Sequence, residues 1–322
     1  MRWQNSLIIN LAKNKLMKHK APRNKTIELS SSETAQYVSM ALKLKQPAAE
    51  EQVLNKIIYQ DSLKAMDFLP DGCVDLMIVD PPYNLTKNFS TSTFKEMDFK
   101  AYQQWLDKWL SKTVRLLKDN ASIYICADWK TSIAIPEIAG RYFILQNRIS
   151  WEREKGRGAK NNWKNCLEDI WFFTKSKNYT FNLDAVKIQR PVIAPYRDEQ
   201  GAPKDWQQNG KQKFRLTHPS NVWTDISIPF WSMPENTNHP TQKPEKLIAK
   251  LILASSNEND VVFDPFLGSG TTAVTAKKLK RRFIGIEREK EYVALALKRL
   301  AMADANREIQ GLSAGVFKPR NS

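Results

Sequence analysis

The sequence predicts an α/β fold on a mostly parallel sheet, and three observations carry that expectation. Short apolar runs alternate with segments of helical spacing along most of the chain. The run 74–79 is almost continuously apolar, which suits a strand covered on both faces. Two runs end abruptly in loops rich in Pro or Gly, at the carboxyl ends of strands, where such sheets bind ligands.

The first 27 residues hold seven basic residues and no acid. They read equally as a solvated tail or as a phosphate-contacting arm. Ser30 and Glu33 have the spacing of a capping box, so a short helix follows and ends before Pro47. Residues 57–59 form a short strand, 62–68 a helical turn, and Pro70-Asp71-Gly72 a tight turn before the strand 74–79. The polar segment 84–98 is a mobile loop, and 102–117 an amphipathic helix carrying Trp105 and Trp109. Strands follow at 121–127, within 142–151, and at the apolar end of 164–173. Between 175 and 237 the period dissolves into an irregular, aromatic-bearing insertion. A helix at 244–254, a strand at 261–263, a loop and helix at 268–279, a strand at 283–286 and a helix at 289–307 close the pattern. The tail from 310 is weakly patterned.

The chain has 322 residues, 42% hydrophobic, so a sizeable core can form. Its net charge of +16 points to a polyanionic partner. No apolar run reaches the roughly 18 residues of a membrane span. The three cysteines are odd in number and widely spaced, which excludes a disulfide framework and a zinc knuckle and suits a reducing compartment. His19, His218 and His239 show no metal-ligand spacing, and no metal is expected.

Two strand ends carry the chemistry. The first is Asp264-Pro265-Phe266-Leu267-Gly268-Ser269-Gly270-Thr271, between a strand and a helix. Glycines there allow close backbone approach to a ligand. Glu287 closes the next strand 19 residues beyond Gly268, the offset of a ribose-binding carboxylate. The loop lacks the Gly-Lys-Thr ending of a triphosphate-binding loop, and Asp264 could meet a ligand ammonium group.

The second is Asp80-Pro81-Pro82-Tyr83. The two prolines stiffen the turn and donate no N–H, leaving carbonyls as acceptors. A carboxylate, carbonyl acceptors and an aromatic face suit a planar aromatic amine.

With Asn84 after the first motif, and the two motifs in this order around a variable middle, the chain resembles the beta class of S-adenosylmethionine-dependent DNA amino-methyltransferases. His239-Pro240-Thr241-Gln242-Lys243-Pro244 resembles a further family motif bordering the methionine end of the cofactor, and the surroundings of Phe172 and Asn221 are family-like. The resemblance covers roughly 55–302. It implies a Rossmann-like methyltransferase fold with a mostly parallel twisted sheet, permuted motif order and an inserted target-recognition region. It divides the chain into a basic extension (1–54), a catalytic half (55–174), a target-recognition insertion (175–237), a cofactor-binding half (238–309) and a tail (310–322).

The resemblance further implies sequence-specific methylation of adenine N6 in double-stranded DNA, with the base flipped out of the helix. Asp80 and the Pro81 carbonyl, with Pro82, would hold the amino group. Tyr83 would stack on the base, and the loop 84–98 would close over it. Asp61, Lys243, Asp264, Phe266, Gly268, Ser269, Gly270, Thr271 and Glu287 would line the S-adenosylmethionine site. A cognate restriction endonuclease, a homodimer and a bacterial cytoplasmic, nucleoid-associated location belong to the same expectation.

Two basic segments are candidates for DNA contact: Arg153, Lys155, Arg157, Lys160 and Lys164 around Trp163, and Lys211, Lys213 and Arg215 near Trp206. The cluster Lys277, Lys278, Lys280, Arg281 and Arg282 lies at the wrong end of its strand and reads as ordinary surface. Cytosine N4 as the target, an RNA substrate, and a non-catalytic cofactor-binding nucleic-acid module stand beside the adenine reading. Asp rather than Ser at position 80 argues against the first of these.

Overall fold

A computed structural model of the chain describes residues 21–153, 161–192, 196–202, 204–210 and 212–319. Helices α1 (Ser31–Ser39) and α2 (Glu50–Val53) precede strand β1 (Lys56–Tyr59), helix α3 (Ser62–Ala65) and strand β2 (Val74–Val79). A small hairpin, β3 (Lys87–Asn88) and β4 (Thr93–Phe94), leads into α4 (Phe99–Thr113) and β5 (Leu117–Ala127). Then come α5 (Ile135–Ala139), β6 (Ile144–Glu152) and β7 (Leu167–Thr174). The insertion holds β8 (Ile188–Pro191), β9 (Gln207–Asn209), β10 (Gln212–Thr217) and β11 (Val222–Trp223). Helix α6 (Glu245–Ser255), β12 (Val261–Asp264), α7 (Thr271–Lys278), β13 (Arg282–Glu287) and α8 (Lys290–Ala305) follow, and β14 (Leu312–Ser313) and β15 (Val316–Phe317) end the chain.

The main sheet runs β1-β13-β12-β2-β5-β7-β6-β11. Every neighbouring pair is parallel except the two that involve β7. The sheet is buried on both faces because its strands alternate between two cores. Phe263 and Ile284 face Leu106, Trp109 and Ile138 on the α4–α5 side. Val262 and Phe283 face Leu247, Val274 and Val293 on the side of α6, α7 and α8. That two-sided burial explains the nearly continuous apolar runs.

The capping box of α1 forms as its spacing predicts, with Glu33 N–H donating to Ser30 Oγ and Ser30 N–H to the Glu33 carboxylate. The helix ends at Ser39, well short of Pro47. Leu42 instead bridges to β1, donating to Ile57 O at 2.9 Å and accepting from Tyr59 at 2.8 Å, so sheet pairing captures the chain first. The tail that looks unpatterned pairs with the insertion: β14-β15-β8-β10-β9 form one five-stranded sheet. Among the described residues no helix is long and apolar enough to cross a membrane.

Candidate active site

One cavity of about 360 Å³ opens at the carboxyl ends of β1, β13, β12 and β2. Strand β12 delivers Asp264 and β2 delivers Asp80, and these strands are neighbours, so the two motifs meet although 184 residues separate them. Strand β7 runs against its neighbours. Its first residues therefore lie at the same end of the sheet, with Asp169 opposite Ala127 and Glu168 opposite Trp151.

The cofactor-strand motif is tied to β13. The Leu267 N–H donates to Ile286 O at 2.9 Å and the Gly268 N–H to Glu287 Oε2 at 2.7 Å. Glu287 Oε1 accepts the N–H groups of Arg288 and Glu289. Burial nevertheless raises the Glu287 pKa above the ordinary carboxylate value. Asp264 accepts from Phe266 N–H and from the Thr272 hydroxyl. Burial dominates there too and pushes its pKa up to about 7. A buried acid poised in this way suits an incoming ammonium group.

Gly268 lines the cavity, and packing constrains both glycines of the loop. At Gly268 (φ +55°) a Cβ would come within 2.9 Å of His239 Nε2, and at Gly270 (φ +90°) within 2.6 Å of the Ala296 Cβ on α8. The Ser269 and Thr271 hydroxyl oxygens, which line the cavity, accept from buried Arg299, which also donates to the Ser269 carbonyl. Asp61 lines the cavity and also caps α3, accepting the Lys64 N–H at 3.3 Å. Phe266 packs edge-on against Trp109 and beside Trp105, and the three rings form an apolar wall. The helical period flagged both tryptophans as core residues only, since periodicity shows which face is buried and not what that face meets.

His239 also lines the cavity. Its Nδ1 accepts the Thr241 N–H at 3.3 Å, which leaves the proton on Nε2, facing Gly268. Burial, only partly opposed by Asp80, pulls its pKa down to about 4, so the ring is neutral near pH 7.

On the catalytic strand, Tyr83 OH donates to Asp80 Oδ1 at 2.8 Å. Lys243 Nζ reaches Asp80 Oδ2 at 2.6 Å, so this lysine stands against the catalytic motif itself. Burial opposes the Lys243 charge, but Asp80 and Glu168 outweigh it and hold its pKa above the ordinary lysine value. Burial, reinforced by the same two acids, raises the Tyr83 pKa, so the phenol is a donor. The expectation of two outward proline carbonyls needs correction. Tyr102 OH donates to Pro82 O at 3.0 Å, because α4 passes directly beneath the turn.

Glu168 is a site residue that the motifs did not reveal. It is buried, 3.3 Å from Lys243 Nζ and from Tyr83 OH, and 2.5 Å from Arg153 Nη1. The available signal was an acid at the second position of an apolar strand. Arg153 is thus paired within the site through Nη1, although its side chain is 36% exposed. Arg215 pairs with Asp205 at 3.2 Å, and Lys213 Nζ lies 5.2 Å from the Trp206 ring. Lys164 and Trp163 are exposed. Lys155, Arg157, Lys160 and Lys211 lie outside the described residues, as do residues 1–20 of the basic extension.

The cluster at 277–282 is only partly the ordinary surface expected of it: Lys278 is 12% exposed and pairs with buried Glu245, Arg281 holds Ser256, and Lys277, Lys280 and Arg282 pair with Asp304, Glu258 and Glu50. The loop 84–98 is tied over the cofactor side of the cavity. Thr91 and Ser92 donate three hydrogen bonds to Glu289, and Ser90 donates to Glu291. Its two ends are joined by Asn84 and Met97.

Comparison with known proteins agrees with this geometry. A DNA methylase family model matches residues 74–298. The Type II methyltransferase M.HpaI of Haemophilus parainfluenzae is 36% identical, over 76% of this chain and 74% of its own length. The DNA adenine methyltransferase YhdJ of Escherichia coli (strain K12) is 37% identical, over 77% of this chain and 83% of its own. Among solved structures, the PvuII DNA methyltransferase (cytosine-N4-specific) aligns with a TM-score of 0.56 at 17% identity, covering 78% of this chain and 92% of that one. At that identity the likeness concerns the Rossmann-like fold.

Proposed function

This chain belongs to the DNA methylase family, and on that premise we propose that it methylates the N6 amino group of a flipped adenine in double-stranded DNA, in a sequence-specific manner. The observation that carries the reading is the meeting of Asp80-Pro81-Pro82-Tyr83 and the Asp264–Thr271 loop in one cavity. The residues suit S-adenosylmethionine: Asp264 for its ammonium group, Glu287 for ribose hydroxyls, and the Phe266–Trp105–Trp109 wall for an aromatic face. Bound there, the cofactor supplies an electrophilic methyl group on a sulfonium centre.

The chain's own part is positioning and electrostatics. Asp80 accepts an N–H of the target amino group, and the Pro81 carbonyl accepts the other. These bonds localise the nitrogen lone pair, which is otherwise delocalised into the ring. Tyr83 closes one side of the base. The Phe266–Trp105–Trp109 wall lowers the access of water on one side of the cavity. No enzyme nucleophile is needed, and burial keeps the Cys126 thiol protonated by raising its pKa.

We place Lys164 and Lys213 among the phosphate contacts, with the neighbouring basic segments. A restriction–modification setting extends the reading: a cognate endonuclease, a homodimer, and a cytoplasmic location at the nucleoid. The Type II relative M.HpaI supports that setting, and size-exclusion chromatography with light scattering tests the dimer. The function itself is tested by incubating the full chain with labelled S-adenosylmethionine and mixed-sequence duplex DNA. N6-methyladenine in the digested product is expected, with Asp80→Asn slower by about a hundredfold or more. N4-methylcytosine alone, or no methylated base, overturns the assignment.

A further inference from the structure

Holding the target amino group calls on Asp80 as an acceptor, and in the structure each of its oxygens already holds one internal donor. Lys243 Nζ donates to Oδ2 at 2.6 Å and Tyr83 OH donates to Oδ1 at 2.8 Å. Both donors also lie 3.3 Å from the same third atom, Glu168 Oε2. The other oxygen of Glu168 is held by Arg153 at 2.5 Å. The four charges form an alternating row, Arg153–Glu168–Lys243–Asp80, and its two central side chains are 4% and 8% exposed.

We propose that Glu168 is a positioning residue that takes Lys243 and the Tyr83 hydroxyl off Asp80 when the target base arrives. A buried ammonium stripped of its partner is left uncompensated. Here it need not be stripped, because Glu168 Oε2, 3.3 Å away, can take Lys243 at the ordinary ~2.8 Å of a charge-assisted bond as the side chain swings off Asp80. The Tyr83 hydroxyl can follow to the same oxygen. Asp80 then exchanges two internal donors for an N–H of the base, and no buried charge is left without a partner at any point. Lys243 is the internal occupant of the amino-group subsite, and Arg153 fixes the acceptor to which it retires.

The exchange also filters bases. A flipped base without an exocyclic amino group offers Asp80 no donor there to replace Lys243, so the row stays closed. The inference rests on the assignment of Asp80 as the group that holds the amino nitrogen.

The test uses the full chain with duplex DNA and S-adenosylmethionine, reading single-turnover methylation and, by calorimetry, cofactor affinity. Glu168→Gln traps Lys243 on Asp80, so methylation should fall tenfold or more while cofactor affinity stays within about threefold of wild type. Adding Lys243→Met removes the trapped ammonium, so the double variant should be at least fivefold faster than Glu168→Gln alone. A merely structural lesion would weaken cofactor binding, and a second buried substitution would not reverse it. A fall of less than tenfold in Glu168→Gln, or a double variant no faster than the single, overturns the proposal. If Glu168→Gln no longer binds cofactor, Arg153→Gln decides: slower methylation with intact cofactor affinity is expected, and an unchanged rate overturns it. Wild-type chain that methylates no DNA would instead overturn the functional reading.

Discussion

Glu287 Oε2 accepts the backbone N–H of Gly268 at 2.7 Å, so the acid at the end of one strand holds the glycine loop at the end of the next. The side chain has two tasks at once. It keeps the cavity wall in shape, and on the proposed reading it also presents a carboxylate to the cofactor ribose. Replacing Glu287 with Ala leaves the N–H groups of Gly268, Arg288 and Glu289 without their acceptor. We expect stability to fall by about 2–3 kcal/mol and cofactor affinity to fall about tenfold or more. Urea unfolding and calorimetric titration measure the two separately.

With Asp264 facing the cofactor's ammonium group, as proposed, cofactor binding should depend on pH. Its folded-state pKa of about 7 lies above the ordinary carboxylate value, chiefly through burial. The folded chain therefore holds this proton more tightly than the unfolded chain does. Its stabilising contribution is complete below the unfolded pKa and is lost as pH rises through about 7. An ammonium group brought by the cofactor favours the ionised acid, so binding releases a proton below pH 7. Affinity should climb by up to about tenfold per pH unit below 7 and level off above. Asp264→Asn should flatten the profile, as read by titration in buffers of different ionisation enthalpy.

The glycine loop is constrained by packing as well as by its ligand. Gly270→Ala would place a methyl group against Ala296 in a left-handed conformation. A loss of about 2–4 kcal/mol is expected in chemical denaturation. Gly268→Ala would press on the His239 ring, a side chain that can turn aside. That variant should lose less stability and more cofactor affinity.

The strap 84–98 is fastened to the cofactor half by Glu289, which accepts from Thr91 N–H, Thr91 Oγ1 and Ser92 Oγ. Glu289→Ala should free it. Cofactor dissociation followed by stopped flow should quicken about tenfold, roughly the equivalent of one lost hydrogen bond to a charged group. The Asp80 network lies outside this contact, so single-turnover chemistry with saturating cofactor should change little.

Much of the fold was legible because it is written in local terms. Apolar runs of strand length, helical spacing at 102–117 and the Ser30–Glu33 cap each depend on residues within a few positions of one another. The same holds for Asp80-Pro81-Pro82-Tyr83 and for the loop from Asp264 to Thr271. Their meeting could be anticipated because parallel α/β sheets bring strand ends together. The short reach of α1 and the role of the tail were not legible. Each depends on a pairing partner distant in sequence, β1 for residue 42 and β8 for Phe317.

By itself, then, the sequence determined the sheet, the order of its two motifs and the polyanionic character of the partner. These follow from periodicity, turn chemistry and net charge, which need no knowledge of what lies nearby in space. Only the tertiary structure decided which charges meet. It turned Arg153 inward to Glu168, set Lys243 on Asp80 across 163 positions of chain, and gave Glu168 a place in the site by running β7 against its neighbours. A charged residue in a sequence carries its sign but not its partner. In a buried site the partner sets whether that charge binds a ligand, holds a neighbour or waits to be displaced.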